Sequence, residues 1–229
     1  MRYQANNDGA RRYNRYRKKS RPEDKWASRG EKAARVAYKG FRLAKRLARF
    51  VNTEQKAVQT EISATTVAAG VVYPLSLIAQ GDGYNQRDGI SIKNSRLSGR
   101  FQVNYDTAAT NGSVVRCIIF KYKQENGVAP TTANILDTTG GLDWLAPKFY
   151  PNRFQSKVLM DKLITLSEAG TMVKVCDVDI KLYGHTNYGG TGGAVTDIDD
   201  GGYYFLIITD VGASGPSIFA QFRLTFVDN

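Results

Sequence analysis

The first fifty residues cannot build a core, and that constrains everything else about this 229-residue chain. Met1 to Phe50 holds 17 of the 32 Lys and Arg but only 4 of the 21 Asp and Glu, a net charge of +13. The remaining 179 residues carry 15 basic and 17 acidic side chains, a net of −2. A near-neutral body therefore bears a polycationic arm, and like charge at that density repels itself unless a polyanion lies opposite.

Within the arm, residues 11–21 read RRYNRYRKKSR, with Arg11, Arg12, Arg15, Arg17, Lys18, Lys19 and Arg21 interleaved with Tyr13 and Tyr16. So little apolar content predicts that residues 1–27 are disordered when free. Opposite nucleic acid, the same cations release condensed counterions and give strong, salt-dependent, sequence-independent binding. Tyrosine rings and guanidinium planes stack on unpaired bases, which favours a single strand. Host nuclear import machinery also reads basic clusters of this kind.

From about residue 30 to 50 the pattern turns helical. Ser28 and Glu31 have the spacing of a capping box. Val36, Leu43, Leu47 and Phe50 fall near one face, while Arg35, Lys39, Arg42, Lys45, Arg46 and Arg49 spread over the rest. A basic amphipathic helix suits a membrane surface. The preceding Arg/Tyr run favours instead a helix that packs its stripe on protein and turns its charge toward nucleic acid. Stable membrane insertion is not expected, because the longest apolar run, Tyr203 to Ile208, is far shorter than a span. A charged, tyrosine-rich N-terminus also lacks the apolar segment of a secretory signal.

Residues 51–229 read as a second, all-β domain, rich in glycine, β-branched and aromatic residues. Strands are expected near 58–64, 71–79, 89–105, 114–123, 154–166, 171–183, 203–209 and 217–227. In the last, Ile218, Ala220, Phe222, Leu224 and Phe226 share one face. Cys176, Val178, Ile180 and Leu182 likewise oppose Asp177, Asp179 and Lys181. Between 89 and 105 the phase slips, since Ile90 and Ile92 lie on one parity and Leu97, Phe101 and Val103 on the other. A bulge is expected near Asn94–Arg96. Eight strands with two long connections, 124–153 and 183–202, predict an eight-stranded antiparallel jelly-roll sandwich behind the basic, partly helical arm. Cys117 and Cys176 sit in apolar runs and read as buried free thiols, with a cross-strand disulfide as the alternative.

Catalytic chemistry has little to stand on. His185 is the single histidine and lies in a glycine-rich stretch without a nucleophile motif. Asp197, Asp199 and Asp200 form an acidic cluster whose oxygens suit a hard cation such as calcium; a solvated acidic loop is the preferred reading, and no cofactor is expected. The string GGTGG at 189–193 lacks the context of a phosphate loop and reads as a flexible surface loop.

Three segments carry a resemblance. They are Gln80-Gly81 with Arg87-Asp88-Gly89 and the strand after it, Val114 to Leu136 with its Gln-x-Asn-Gly, and Arg153 to Lys162 with Arg-Phe and Val-Leu-x-Asp. In that order, after a basic arm, they resemble single-jelly-roll capsid proteins. Those are the capsids of small circular single-stranded DNA viruses that encode a replication initiator, and of satellite necrosis-type plant RNA viruses. The resemblance implies a non-enzymatic coat protein that binds copies of itself in a T=1 icosahedral shell of about sixty. It further implies arms on packaged single-stranded nucleic acid, a virion location and passage through the host nucleus. DNA is the first expectation and a satellite-type RNA genome the alternative. A basic-tailed carbohydrate-binding jelly roll is the competing reading from another class.

Overall fold

The computed structural model describes residues 31, 34, 36–42, 55–106, 112–212 and 215–228. The chain divides into two units, 1–53 and 54–229. Of the first, residues 31, 34 and 36–42 are helical.

The second unit is a two-sheet sandwich. Among the described residues its strands are β1 (Gln55–Thr65), β2 (Val71–Pro74), β3 (Ser91–Asn104), β4 (Ser113–Tyr122), β5 (Ser156–Leu166), β6 (Val173–Lys181), β7 (His185–Tyr188), β8 (Ile198–Asp200), β9 (Tyr203–Thr209) and β10 (Ser217–Asp228). One sheet runs β1-β10-β3, after which β6 and β7 pair in turn along the same side of β3 and β8 follows β7. The other runs β2-β9-β4-β5. Every pairing among these strands is antiparallel. β1 to β4 alternate between the sheets, β5 stays beside β4, the chain returns to the first sheet for β6, β7 and β8, and β9 and β10 fall one in each, which is the jelly-roll order. Of these strands, β7 and β8 go beyond the eight expected from sequence.

Burial follows from the periodicity. Ile218, Ala220, Phe222, Leu224 and Phe226 of β10 are all buried, against an inward row of β3 that includes Leu97, Phe101 and Val103. The register jumps where Thr225 faces Arg96 and Phe226 faces Asn94, so Ser95 is the extra residue of a bulge. Its Oγ donates to the Thr225 carbonyl at 2.9 Å. The expected phase slip thus has a single-residue cause. Phe101 and Phe222 of one sheet meet Phe205 of the other with ring centroids 5.5 and 5.0 Å away, which stitches the sandwich together.

The two sheets differ on their outer sides. β4 from Cys117 to Phe120 and β9 from Tyr203 to Ile208 are continuously apolar because both of their faces are buried. Their inward side chains join the main core. Their outward ones, among them Ile118, Phe120, Tyr204 and Leu206, pack under Ile135, Leu136 and Ala146 of the long β4–β5 connection. That connection contains one helical turn, Thr132–Ile135, and a 3-10 turn, Thr138–Gly140. The β1-β10-β3-β6 sheet has no such cover among the described residues, and its outward residues are mostly polar or charged, with Phe219, Val173 and Val175 exposed among them.

Cys117 and Cys176 are buried free thiols on opposing sheets. Burial and the neighbouring Cys176 push the Cys117 thiol pKa far up, which makes it a poor nucleophile.

Candidate nucleic-acid interface

Of the arm residues expected to bind nucleic acid, the structure describes Lys39 and Arg42. Both are exposed on the helix, and the Arg42 guanidinium lies 5.9 Å from the Tyr38 ring centroid. Val36 and Phe41 are exposed beside them. Arg11, Arg12, Tyr13, Arg15, Tyr16, Arg17, Lys18, Lys19, Arg21, Arg35, Lys45, Arg46 and Arg49 lie outside the described residues. So does the import signal expected over 11–21. Among the described residues no helix is long and apolar enough to cross a membrane.

Where the chain enters the sandwich it is pinned by charge. Lys56, second residue of β1, is sealed from solvent. Its ammonium contacts Asp88 at 2.7 Å and Asp228 at 3.1 Å, and those partners raise its pKa despite burial. Sequence reading placed the start of β1 at Val58 and missed this lysine, because its partners are far away in the chain. The first resembling segment builds the surrounding loop. Gln80 bridges to Arg87 and donates to the Asp88 carbonyl at 2.8 Å. Arg87 is fully buried and has no carboxylate partner among the described residues. It donates to the carbonyls of Ile78 (3.1 Å), Gly89 (2.6 Å) and Gly190, and stacks 4.2 Å from the Tyr188 ring centroid. The glycine stretch 189–193 lies at the surface, as expected, and its backbone accepts from Arg87 at Gly190 and from the Gln80 amide at Thr191.

The other two segments also gain physical content. In the Gln-x-Asn-Gly run, Asn126 and Gly127 adopt φ of 46° and 75°, the left-handed pair that Asn-Gly tolerates best. This tight turn holds Glu125 inside, where it accepts from the Gly202 amide at 2.6 Å. Burial pushes the Glu125 carboxyl up to about 7, with the Asp200 charge adding to the effect. Its Oε2 and the Tyr204 hydroxyl are buried without a hydrogen-bond partner among the described residues. In the third segment Asp161 takes a two-pronged bond from Arg116 at 2.9 and 2.7 Å, while Arg153 stacks between Tyr150 and Phe154.

The acidic cluster does not converge. Asp197 accepts from the Ala194 amide at 2.9 Å, and Asp199 and Asp200 are consecutive strand residues that point to opposite sides. Among the described residues no three His, Cys, Asp or Glu are grouped to hold a metal ion.

A two-sheet jelly roll preceded in sequence by a polycationic segment is an architecture used by viral shell proteins. The satellite tobacco necrosis virus coat protein family matches residues 31–228, and the chain belongs to that family. The coat protein of Maize white line mosaic satellite virus is 27% identical over 215 residues, covering 88% of this chain and 97% of the relative. The capsid protein of Satellite tobacco necrosis virus 1 is 30% identical over 151 residues, 64% of this chain and 72% of the relative. Among solved structures, the Tobacco streak virus coat protein dimer aligns over 78% of this chain and 88% of its own, with TM-score 0.34 and 12% identity. Desmodium yellow mottle tymovirus aligns over 75% and 86%, with TM-score 0.31 and 10% identity. The fold assignment rests on the strand order. These relatives fall on the satellite side of the resemblance and give no support to the DNA-virus side.

Proposed function

We propose that copies of this viral coat protein close a small icosahedral shell and hold packaged single-stranded nucleic acid with the arm. One observation carries the reading: a coat-protein family match runs from residue 31 to residue 228 in a chain whose first fifty residues carry a net +13. RNA is the genome this supports, because the satellite necrosis-type viruses that the sequence resembles carry it. About sixty arms bring about 780 positive charges, which offsets on the order of a kilobase of single strand. The β4–β5 connection and the edges of the two sheets supply the contacts between copies.

Electron microscopy of the full chain beside one lacking residues 1–50 tests this. Closed particles that protect nucleic acid from nuclease only when the arm is present are expected. DNase and RNase applied to the protected material distinguish the two polymers. Chains that stay monomeric with and without the arm, at every salt concentration, would refute the reading.

A further inference from the structure

The geometry points to a second nucleic-acid-binding surface, on the outward face of the β1-β10-β3-β6 sheet, that takes a few nucleotides of single strand. It rests on the reading of this chain as a genome-packaging coat protein, and adds a site on the body to the one on the arm.

The strand registers lay out the face. In one row, Ser63 of β1 opposes Phe219 of β10, which opposes Gln102 of β3. Two residues along β10, Gln221 stands between Glu61 and Arg100. In the next row Arg223 stands between Gln59 and Ser98. Three neighbouring clefts along β10 make up a trough. A cleft of about 490 Å³ surrounds Phe219 and Gln102, a smaller one lies at Arg223, and one of about 660 Å³ surrounds Lys181 and Tyr183. From Phe219 to Thr225 the trough follows β10 for about 20 Å, which matches the smallest single-strand sites of about four nucleotides.

Its chemistry suits that ligand. Phe219 and Tyr183 are 48% and 80% exposed, one toward each end. Isolated rings offer flat stacking surfaces, whereas a protein–protein core would gather its aromatics together. Arg100 and Arg96 are occupied by Asp177 and Asp179 at 2.5 and 2.6 Å. Glu61 accepts from Gln221 at 2.8 Å. Arg223 and Lys181 have no carboxylate partner among the described residues, and both present their charge where phosphates would pass. Amides at Gln59, Gln102 and Gln221 can bond to base edges of any sequence. The opposite sheet is excluded as the platform because its own β4–β5 connection covers it. Finally, the basic arm runs in sequence directly into β1, a strand of this sheet.

Photocrosslinking of the full chain to a short thiouridine-substituted RNA, with peptide mapping, is the test. Crosslinks are expected in the arm and also at Phe219 and Tyr183. In the full chain, Phe219→Ser should weaken RNA binding roughly five- to tenfold, and Arg223→Gln should lower the salt slope of binding by about one. Both side chains are outward, so the unfolding midpoint should not move. Crosslinks in the arm alone would overturn this inference and leave the packaging reading standing. No crosslinks anywhere would overturn both. Protection of Phe219 by another copy of the chain, with the crosslinks absent in assembled and unassembled protein alike, would assign the face to subunit contact instead.

Discussion

The Lys56 ammonium lies 2.7 Å from Asp88 Oδ1, so the first residues of β1 are fastened to the turn that follows the buried Arg87. Asp228, near the end of β10, closes the cluster at 3.1 Å. Three distant parts of the chain meet where the arm leaves the sandwich.

Lys56→Met should therefore destabilise the shell domain by about 1–3 kcal/mol. It leaves Asp228 facing a nearly sealed site, while the half-exposed Asp88 can turn to water. Asp88→Asn should cost less, because Asp228 still pairs with the lysine. Urea unfolding of dissociated subunits reads both, and the reverse ranking would contradict this account.

Glu125 should make stability fall as pH rises. Unperturbed, as in the unfolded chain, the carboxyl titrates near 4.5, whereas the folded one is held up to about 7 by burial. Between those values the folded state binds the extra proton, so the loss grows through that window and levels off above it. Glu125→Gln keeps an acceptor for the Gly202 amide and removes the titration. The variant should match its parent near pH 4.5 and exceed it by about 2–3 kcal/mol near pH 8. A constant difference across that range would show that Glu125 ionises without penalty.

Phe205 is the ring through which the two sheets touch, 5.5 Å from Phe101 and 5.0 Å from Phe222. Phe205→Ala should cost about 3–5 kcal/mol, and Phe205→Leu, which keeps most of the volume, less than half of that. Equilibrium unfolding distinguishes the two.

Arg87→Lys should not be conservative. A compact ammonium cannot reach the Ile78, Gly89 and Gly190 carbonyls together, nor lie flat against Tyr188. A loss of about 2–4 kcal/mol is expected. Hydrogen exchange should rise first at the Gln80 and Gly81 amides, which donate to the Thr191 and Arg87 carbonyls. A lysine variant with parental stability would show that the three carbonyls find other donors.

Legibility tracked the range of the interaction. The inward rows of β10 and β6 and the slip at Ser95 could be read because strand periodicity is a local property. The cover over the β2-β9-β4-β5 sheet was half visible: the unbroken apolar runs of β4 and β9 demanded burial on two sides, but nothing named Ile135 or Leu136 as the lid. β7 and β8 escaped because four- and three-residue strands, HTNY and IDD, are too short to show alternation. Arg87 and Lys56 escaped for another reason. Each looked like an ordinary surface cation, and only the fold brings carbonyls or carboxylates to it from distant parts of the chain. The arm stood out by charge alone, whereas the trough around Phe219 needed three strand registers before its members became neighbours.

β1 hydrogen-bonds to β10 and to no other described strand, with Gln55 opposite Val227. During synthesis the arm and β1 emerge first and β10 last. A chain stalled before Ser217 should thus be cleaved by protease at β1, and protected once the final strand is released. Pairing across so long a stretch is also slow. Until β10 is made, β1 therefore has no strand to pair with, and closure of the sandwich waits for it.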